Sequence, residues 1–339
     1  MIGIGVIGYG YWGPNMARNI WELPGAQLVK IADSKPNRLE LAARRHPSTA
    51  MVTDADDLIN DPKVDAVVIA TPVSSHFPLA MKALEAGKHV LVEKPICDNS
   101  ADAYRLVEAA DRRGLALMVD HTFLYTGAVR KMKELVDAGE IGDIYYYDSV
   151  RINLGLFQED VSVLWDLAVH DLSIMDFVLN QFPTTVACTG CSHVPGRPED
   201  VAYLTLYFPG TLIGHIHVNW LSPVKLRRTL VGGSRKMIVY DDLEAAEKIR
   251  VHDKGLIMDN DDEKVNQMRL RGYRSGDVWT PQVDLTEAIR TELNHFMKCI
   301  EGAERPISSG LAAARIVRIL ETATKSLQCR GELLEVQPL

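Results

Sequence analysis

The chain has 339 residues, 47% hydrophobic and 24% charged, with a formal net charge of −8. That length suits two domains, because single cores stop growing near about 250–300 residues, and the composition excludes disordered and collagen-like chains. An acidic chain with no basic block excludes a nucleic-acid backbone as the expected partner, and five scattered cysteines exclude a disulfide framework.

Through the first third, short apolar runs alternate with amphipathic ones. Residues 2–7, 28–32, 66–70, 89–92 and 115–119 read as strands buried on both faces. Residues 77–86 and 101–113 read as helices, each stopped by a glycine (Gly87, Gly114). Strand–helix–strand alternation predicts an α/β fold whose N-terminal part, residues 1–120, is a doubly wound parallel Rossmann sheet. After about Gly142 the period changes to two, over 144–150, 186–192, 203–208, 212–218, 225–231 and 237–240. Turn signals at Pro209-Gly210 and Gly232-Gly233 separate some of these runs. They predict a C-terminal α+β domain, residues 121–339, with a large, mostly antiparallel sheet for substrate binding and oligomerisation. Helices are expected at 166–180, near 285–301 and near 311–327, the last a candidate to pack back on the first domain. Residues 250–276 read as a long polar loop. No secretory pattern precedes the first strand and no apolar run nears the ~20 residues that span a bilayer, so a cytoplasmic chain without a membrane partner is expected.

Gly8-Tyr9-Gly10-Tyr11-Trp12-Gly13 follows the first strand and leads into a helical pattern of Met16, Ala17, Asn19 and Ile20. In that context the glycine spacing predicts a dinucleotide loop. Gly8 would permit the tight turn, Gly10 the approach of a pyrophosphate, and Gly13 close helix packing, with the anion at the helix N-terminus. Asp33 ends the second strand ~20 residues on, where a carboxylate accepts bonds from ribose hydroxyls and repels a 2′-phosphate. NAD is therefore expected over NADP, although Ser34 and Lys35 follow and could tolerate a phosphate. The plainer alternative is an ordinary turn with Asp33 as a helix cap.

Glu93-Lys94-Pro95 follows the fourth of these strands, and strand C-termini in such sheets point into the ligand crevice. A Lys94 cation there could stabilise an alkoxide; an exposed turn lysine is the plain alternative. Asp166 and His170 are four apart and share one helical face. A carboxylate beside an imidazole fixes its tautomer and supports its charged form, which suits removal of an alcohol proton. A solvated i, i+4 pair is the alternative.

Taken together, Gly8–Gly13, Asp33, Ala70-Thr71-Pro72 with His76, Glu93-Lys94-Pro95 and Asp166…His170 resemble the Gfo/Idh/MocA oxidoreductases over essentially the whole chain. The resemblance implies hydride transfer between NAD(P) and a hydroxyl of a sugar or cyclitol. It makes Lys94, Asp166 and His170 the catalytic positions. It places Ala70, Thr71, Pro72, His76, Glu93 and Lys94 along the cofactor, beside Gly8, Tyr9, Gly10, Tyr11, Trp12, Gly13 and Asp33. Within the family the chain looks most like the branch of UDP-N-acetylglucosamine or its uronate 3-dehydrogenases, in the opening 10–15 and in 151–155 and 220–227. Inositol-dehydrogenase-like members carry the same Asp-x-x-x-His. Where many members have Arg after the fifth strand, this chain has His121-Thr122-Phe123-Leu124-Tyr125. Expected substrate contacts are Lys94, Asn153, Asp166, His170, Tyr125, Lys225 and Arg227. Lys225, Arg227 and Arg228 are either a solvated strand face or a diphosphate contact.

Cys188 and Cys191 with His193 have half-site spacing, but no second pair completes four ligands, so no metal is expected. His215 and His217 face one way on a strand and suit an interface. The uncovered sheet predicts a homodimer or homotetramer. Two other activities stay open: an NAD-dependent glycosidase that oxidises its sugar transiently, and a non-catalytic dinucleotide sensor.

Overall fold

The computed structural model describes residues 1–155, 161–259 and 269–338. The first elements are β1 (Ile2–Ile7), α1 (Gly13–Glu22), β2 (Ala26–Ala32), α2 (Pro36–Arg45), β3 (Ala50–Val52), α3 (Ala55–Ile59), β4 (Ala66–Ile69), α4 (His76–Glu85), β5 (His89–Glu93), α5 (Ser100–Arg113) and β6 (Leu117–Asp120). Next come α6 (Gly127–Asp137), β7 (Ile144–Leu154), α7 (Val169–Leu179), β8 (Thr185–Cys191), β9 (Val201–Tyr207), β10 (Ile213–Asn219), β11 (Leu221–Gly233), β12 (Met237–Asp241) and β13 (Ile249–His252). The last are β14 (Gly255–Asp259), β15 (Arg269–Arg274), β16 (Val278–Trp279), α8 (Ala288–Ile300), α9 (Gly310–Gln328) and β17 (Leu334–Glu335).

The chain forms two compact units, one of Met1–Thr126 with Leu285–Glu321 and the other of Gly127–Asp284 with Thr322–Gln337. A division into 1–120 and 121–339 therefore misses a long return into the first unit. Its cause is long-range bonding. Glu287 accepts from Arg18 (2.6 Å) and Asn19 (3.2 Å) on α1. The Tyr125 hydroxyl meets His295 (2.9 Å) and Ser308 (3.0 Å). Glu321 accepts from the backbone N–H of Ser100 (3.0 Å) at the start of α5.

The first unit holds a parallel sheet in the order β3-β2-β1-β4-β5-β6. All four residues of β4 are buried, as a central parallel strand requires when helices cover both faces. The order reverses between β1 and β4, and ligands bind at the strand C-termini beside such a switch point. α5 begins where Asn99 accepts from the Asp102 N–H (2.8 Å) and ends at left-handed Gly114 (φ 63°).

The second unit holds a nine-stranded sheet, β16-β13-β12-β11-β7-β10-β9-β8-β17, antiparallel except for the β7–β10 pair. The expected loop 250–276 is instead partly ordered into strands. Residues Ile249–His252 join this sheet, because Ile249 and Val251 are buried against it. β14 and β15 pair with each other, and 260–268 lie outside the described residues. The expected helix 166–180 begins with a π-helical turn, Leu164–Ala168, and continues as α7 to a left-handed Asn180 (φ 49°).

Candidate active site

In the first unit, β1 runs into the glycine loop. Gly8 has φ +95°, and a Cβ there would sit 2.4 Å from the Ala70 carbonyl oxygen, so only glycine makes this turn. A Cβ on Gly13 would sit 2.0 Å from the Gly8 carbonyl oxygen, so the loop closes on itself at that point. A Cβ on Gly10 would meet nothing nearer than the Arg38 guanidinium at 3.4 Å. No side chain caps α1 and no acid stands in its first turn, while Pro14 starts it without a competing N–H. That leaves backbone donors and the helix dipole for an anion, so the residues present fit a dinucleotide pyrophosphate.

Asp33 is 6% exposed at the end of β2. Its carboxylate accepts from the Tyr9 N–H (2.7 Å) and the Lys35 N–H (2.8 Å), and Arg38 Nη1 stands 3.3 Å away. Arg38 was not singled out by the sequence. Its place five residues past Asp33, on the first turn of α2, brings it back over the loop. The Tyr9 side chain is buried, its ring edge toward His46 at 6.3 Å, so Tyr9 serves the loop through its backbone. Tyr11 is 87% exposed and stacks on Trp12. Trp12 donates its indole N–H to Asp120 at the end of β6.

Ala70, Thr71 and Pro72 form the exposed-to-half-buried turn after β4. Ser75 Oγ donates to the Pro72 carbonyl and pairs with Thr71 Oγ1, each at 2.7 Å. His76 is placed differently from expectation. It is 1% exposed, with Nδ1 against the Pro95 carbonyl and Nε2 against the Thr71 carbonyl, each 2.8 Å away. It therefore braces the Thr71 and Pro95 turns, and any part in the cofactor site runs through the backbone of those turns. Glu93 ends β5 and Lys94 follows it, both half-buried. Burial pushes the pKa of His76 down, and His121 falls to about 3; in both, the Lys94 ammonium adds to burial. Lys94 thus stands beside two neutral imidazoles. Tyr125, the expected substrate contact, is 1% exposed, with its hydroxyl shared between His295 and Ser308.

In the second unit the π-helical turn presents Asp166, and α7 presents His170; both are half-buried. Single π turns inside α-helices are rare and cluster at functional sites. Trp165 Nε1 ties the turn to Thr324 of α9 at 3.0 Å, and Ser173 Oγ donates to the His170 carbonyl at 2.7 Å. Beneath His170, Asp171 is 2% exposed and accepts from Arg151 Nε (2.6 Å) and Ser149 Oγ (2.5 Å) of β7. Burial opposes the Arg151 charge, but Asp171 outweighs it and leaves the guanidinium above its ordinary pKa. Sequence reasoning missed this pair, because nothing in the period of β7 marks one arginine as facing inward.

Arg227 of β11 lies opposite Arg151 of β7. Alternation puts Asn153 and Arg227 on the sheet face that Arg151 shares with α7, whereas the register of β11 shifts between Leu221 and Leu226, before Arg227. Arg227 pairs with Asp242 (3.3 Å) and Arg228 with Asp241 (2.8 Å), while Lys225 is exposed. Cys188 is buried and its thiol is pushed up to about 12 by burial, whereas Cys191, three residues on, points to the other face. The two do not form a metal half-site. His215 and His217 do share a face and flank Tyr203, 6.5 and 4.3 Å between ring centres.

Residues 2–121 match the family model described as "Oxidoreductase family, NAD-binding Rossmann fold", and residues 129–239 match "GFO/IDH/MocA C-terminal domain". The chain belongs to the Gfo/Idh/MocA oxidoreductase family and binds NAD through its Rossmann domain. It is 25% identical over 342 residues to scyllo-inositol 2-dehydrogenase (NAD(+)) of Bacillus subtilis, covering 97% of this chain and 93% of that one. It is 30% identical over 263 residues to the uncharacterized oxidoreductase YdgJ of Escherichia coli, 73% of each chain. Among solved structures, UDP-N-acetylglucosamine 3-dehydrogenase GnnA from Acidithiobacillus ferrooxidans superposes with a TM-score of 0.82 at 22% identity, covering 97% of this chain and 99% of that one. Among the described residues no helix is long and apolar enough to cross a membrane.

Proposed function

We propose that the protein is an NAD-dependent dehydrogenase of a secondary hydroxyl on a cyclic polyol or sugar ring. The observation that carries this reading is the π-helical turn that holds Asp166 and runs directly into the α-helix that holds His170. The bound nicotinamide supplies the hydride acceptor. His170 takes the hydroxyl proton, Asp166 orients its ring and supports the imidazolium, and Lys94 stabilises the developing oxyanion. Asn153, on the sheet face of Arg151, and the exposed Lys225 are the remaining substrate ligands of this reading.

The diphosphate role offered for Arg227 weakens, since Arg227 and Arg228 already hold Asp242 and Asp241. That favours an uncharged ring such as a cyclitol over a nucleotide sugar, in keeping with the 25% identity to an inositol dehydrogenase. The test is absorbance of the reduced nicotinamide with NAD and with NADP, against myo-inositol, scyllo-inositol, glucose, UDP-N-acetylglucosamine and its uronate. A rise with a free cyclitol or sugar supports the reading. A rise only with UDP-sugars returns it to the nucleotide-sugar branch.

NAD preference over NADP rests on Asp33. Asp33→Ser keeps a short acceptor for the loop but removes the charge and leaves Arg38 to meet a 2′-phosphate. The NAD-to-NADP ratio of kcat/KM is expected to fall about 10–100-fold. An unchanged ratio would clear Asp33 of that role. A homo-oligomer through the outer face of the large sheet accounts for exposed Tyr203, Tyr207 and Ile213, which the register of β9 and β10 puts on one face; a monomer in light scattering would refute it.

A further inference from the structure

Glu292 lies on α8 in the first unit, with 0% exposure. Its carboxyl faces Asp120, the last residue of β6, and the Glu93 carboxylate at the end of β5 also acts on it. Among the described residues neither Glu292 oxygen has a hydrogen-bond donor. Two ionised carboxylates face to face in a dry interior only repel, whereas one proton between them makes a strong hydrogen bond. Asp120 is already the acceptor for two donors, the Trp12 indole N–H on the glycine loop and Thr122 Oγ1 at 2.5 Å. Trp12 immediately precedes α1, where the uncapped backbone N–H groups lie.

We propose that Glu292 keeps a proton, donates it to Asp120, and so acts as a positioning residue for the dinucleotide loop through the chain Glu292–Asp120–Trp12. The proton is held because burial, then the Asp120 and Glu93 carboxylates, raise the Glu292 pKa well above the carboxylate range. The groups facing it are Asp120 on β6, Glu93 on β5 and the Tyr125 hydroxyl after β6. Lys94 follows Glu93, and His121, next to Asp120, stays neutral with a pKa of about 3.

The sign of the pH dependence follows from linkage. From the ordinary carboxylate range up to the raised value, the folded chain binds one proton more than the unfolded chain. Each pH unit of rise in that window therefore shifts the folding equilibrium about tenfold toward unfolding. Glu292→Gln keeps a donor without a titrating proton, so it should lose that slope and exceed the wild type in urea resistance at pH 8. Calorimetric NAD binding without substrate supplies the second readout. Glu292→Gln should bind NAD within about threefold of wild type, Glu292→Leu about tenfold more weakly, and the effect of Glu292→Leu should vanish in a Trp12→Phe background. The proposal is overturned if Glu292→Gln keeps the wild-type pH slope, if Gln and Leu weaken NAD binding alike, or if the Leu effect persists without the Trp12 indole.

Discussion

His170→Ala should lower kcat about 10²–10⁴-fold and leave NAD affinity and unfolding midpoint near wild type. Removing a positioned general base costs that much because the hydroxyl proton must then leave to water while the hydride departs. NAD affinity should hold because His170 sits on α7, in the unit that does not contain the glycine loop. Stability should hold because the ring is half-buried and the side chain that anchors α7 to β7 is its neighbour, Asp171. Lys94→Ala should cost about 10²–10³-fold in kcat by removing the charge that meets the oxyanion. Asp166→Asn should cost less than either, since it supports His170 and does not itself take the proton. Steady-state kinetics with calorimetric NAD titration separates these effects. A His170→Ala enzyme with near-wild-type kcat would remove His170 from the chemistry.

The largest expected loss of stability lies one residue further on. Asp171→Asn removes the carboxylate charge that Arg151 Nε meets at 2.6 Å, with the guanidinium at 4% side-chain exposure. Breaking one partner of a buried ion pair costs about 3–5 kcal/mol, because the remaining charge stays desolvated. The urea midpoint should fall accordingly. The double variant Arg151→Met with Asp171→Leu should recover most of the loss, since both charges then leave together. If Asp171→Asn unfolds like the wild type, water reaches Arg151 and the pair is not dry. Because Asp171 also fixes the start of α7 beneath His170, the single variant should lose activity before it unfolds, and the double variant should regain part of it.

Much of this was legible in the sequence, for a common reason: local pattern carried it. Gly8 to Gly13 read as a dinucleotide loop, and the φ of Gly8 and the Cβ clash at Gly13 are what that spacing demands. The parallel runs and the period-two runs both reached their sheets, within a few residues at each end. The three-residue β3 was too short to carry a period. Of the return of Leu285–Glu321 to the first unit, only the last helix was a candidate from sequence; the earlier part was not visible, because its causes are partners such as Arg18 with Glu287 and Tyr125 with His295, far apart in sequence. Burial of individual polar residues was the other gap. Tyr125 and His76 carried motif-like chemistry yet spend it inside the fold, while Arg38, Asp120 and Glu292 carried no motif and stand at or behind the glycine loop, and the inward pairing of Arg151 with Asp171 left no mark in the period of β7. Period and spacing say which face a residue occupies, and only the packed neighbours say whether its polar atoms are already engaged.

The most direct test of net NAD-dependent oxidation is the stoichiometry of turnover on whichever ring substrate raises the reduced-nicotinamide band. Substrate consumed, ketone formed and NADH accumulated should be measured together over many turnovers. One ketone and one NADH per substrate consumed, both lost in His170→Ala, is the predicted result. Substrate consumption with NADH never exceeding the enzyme concentration, and no ketone released, would contradict it and mark a cycle in which the oxidation is transient.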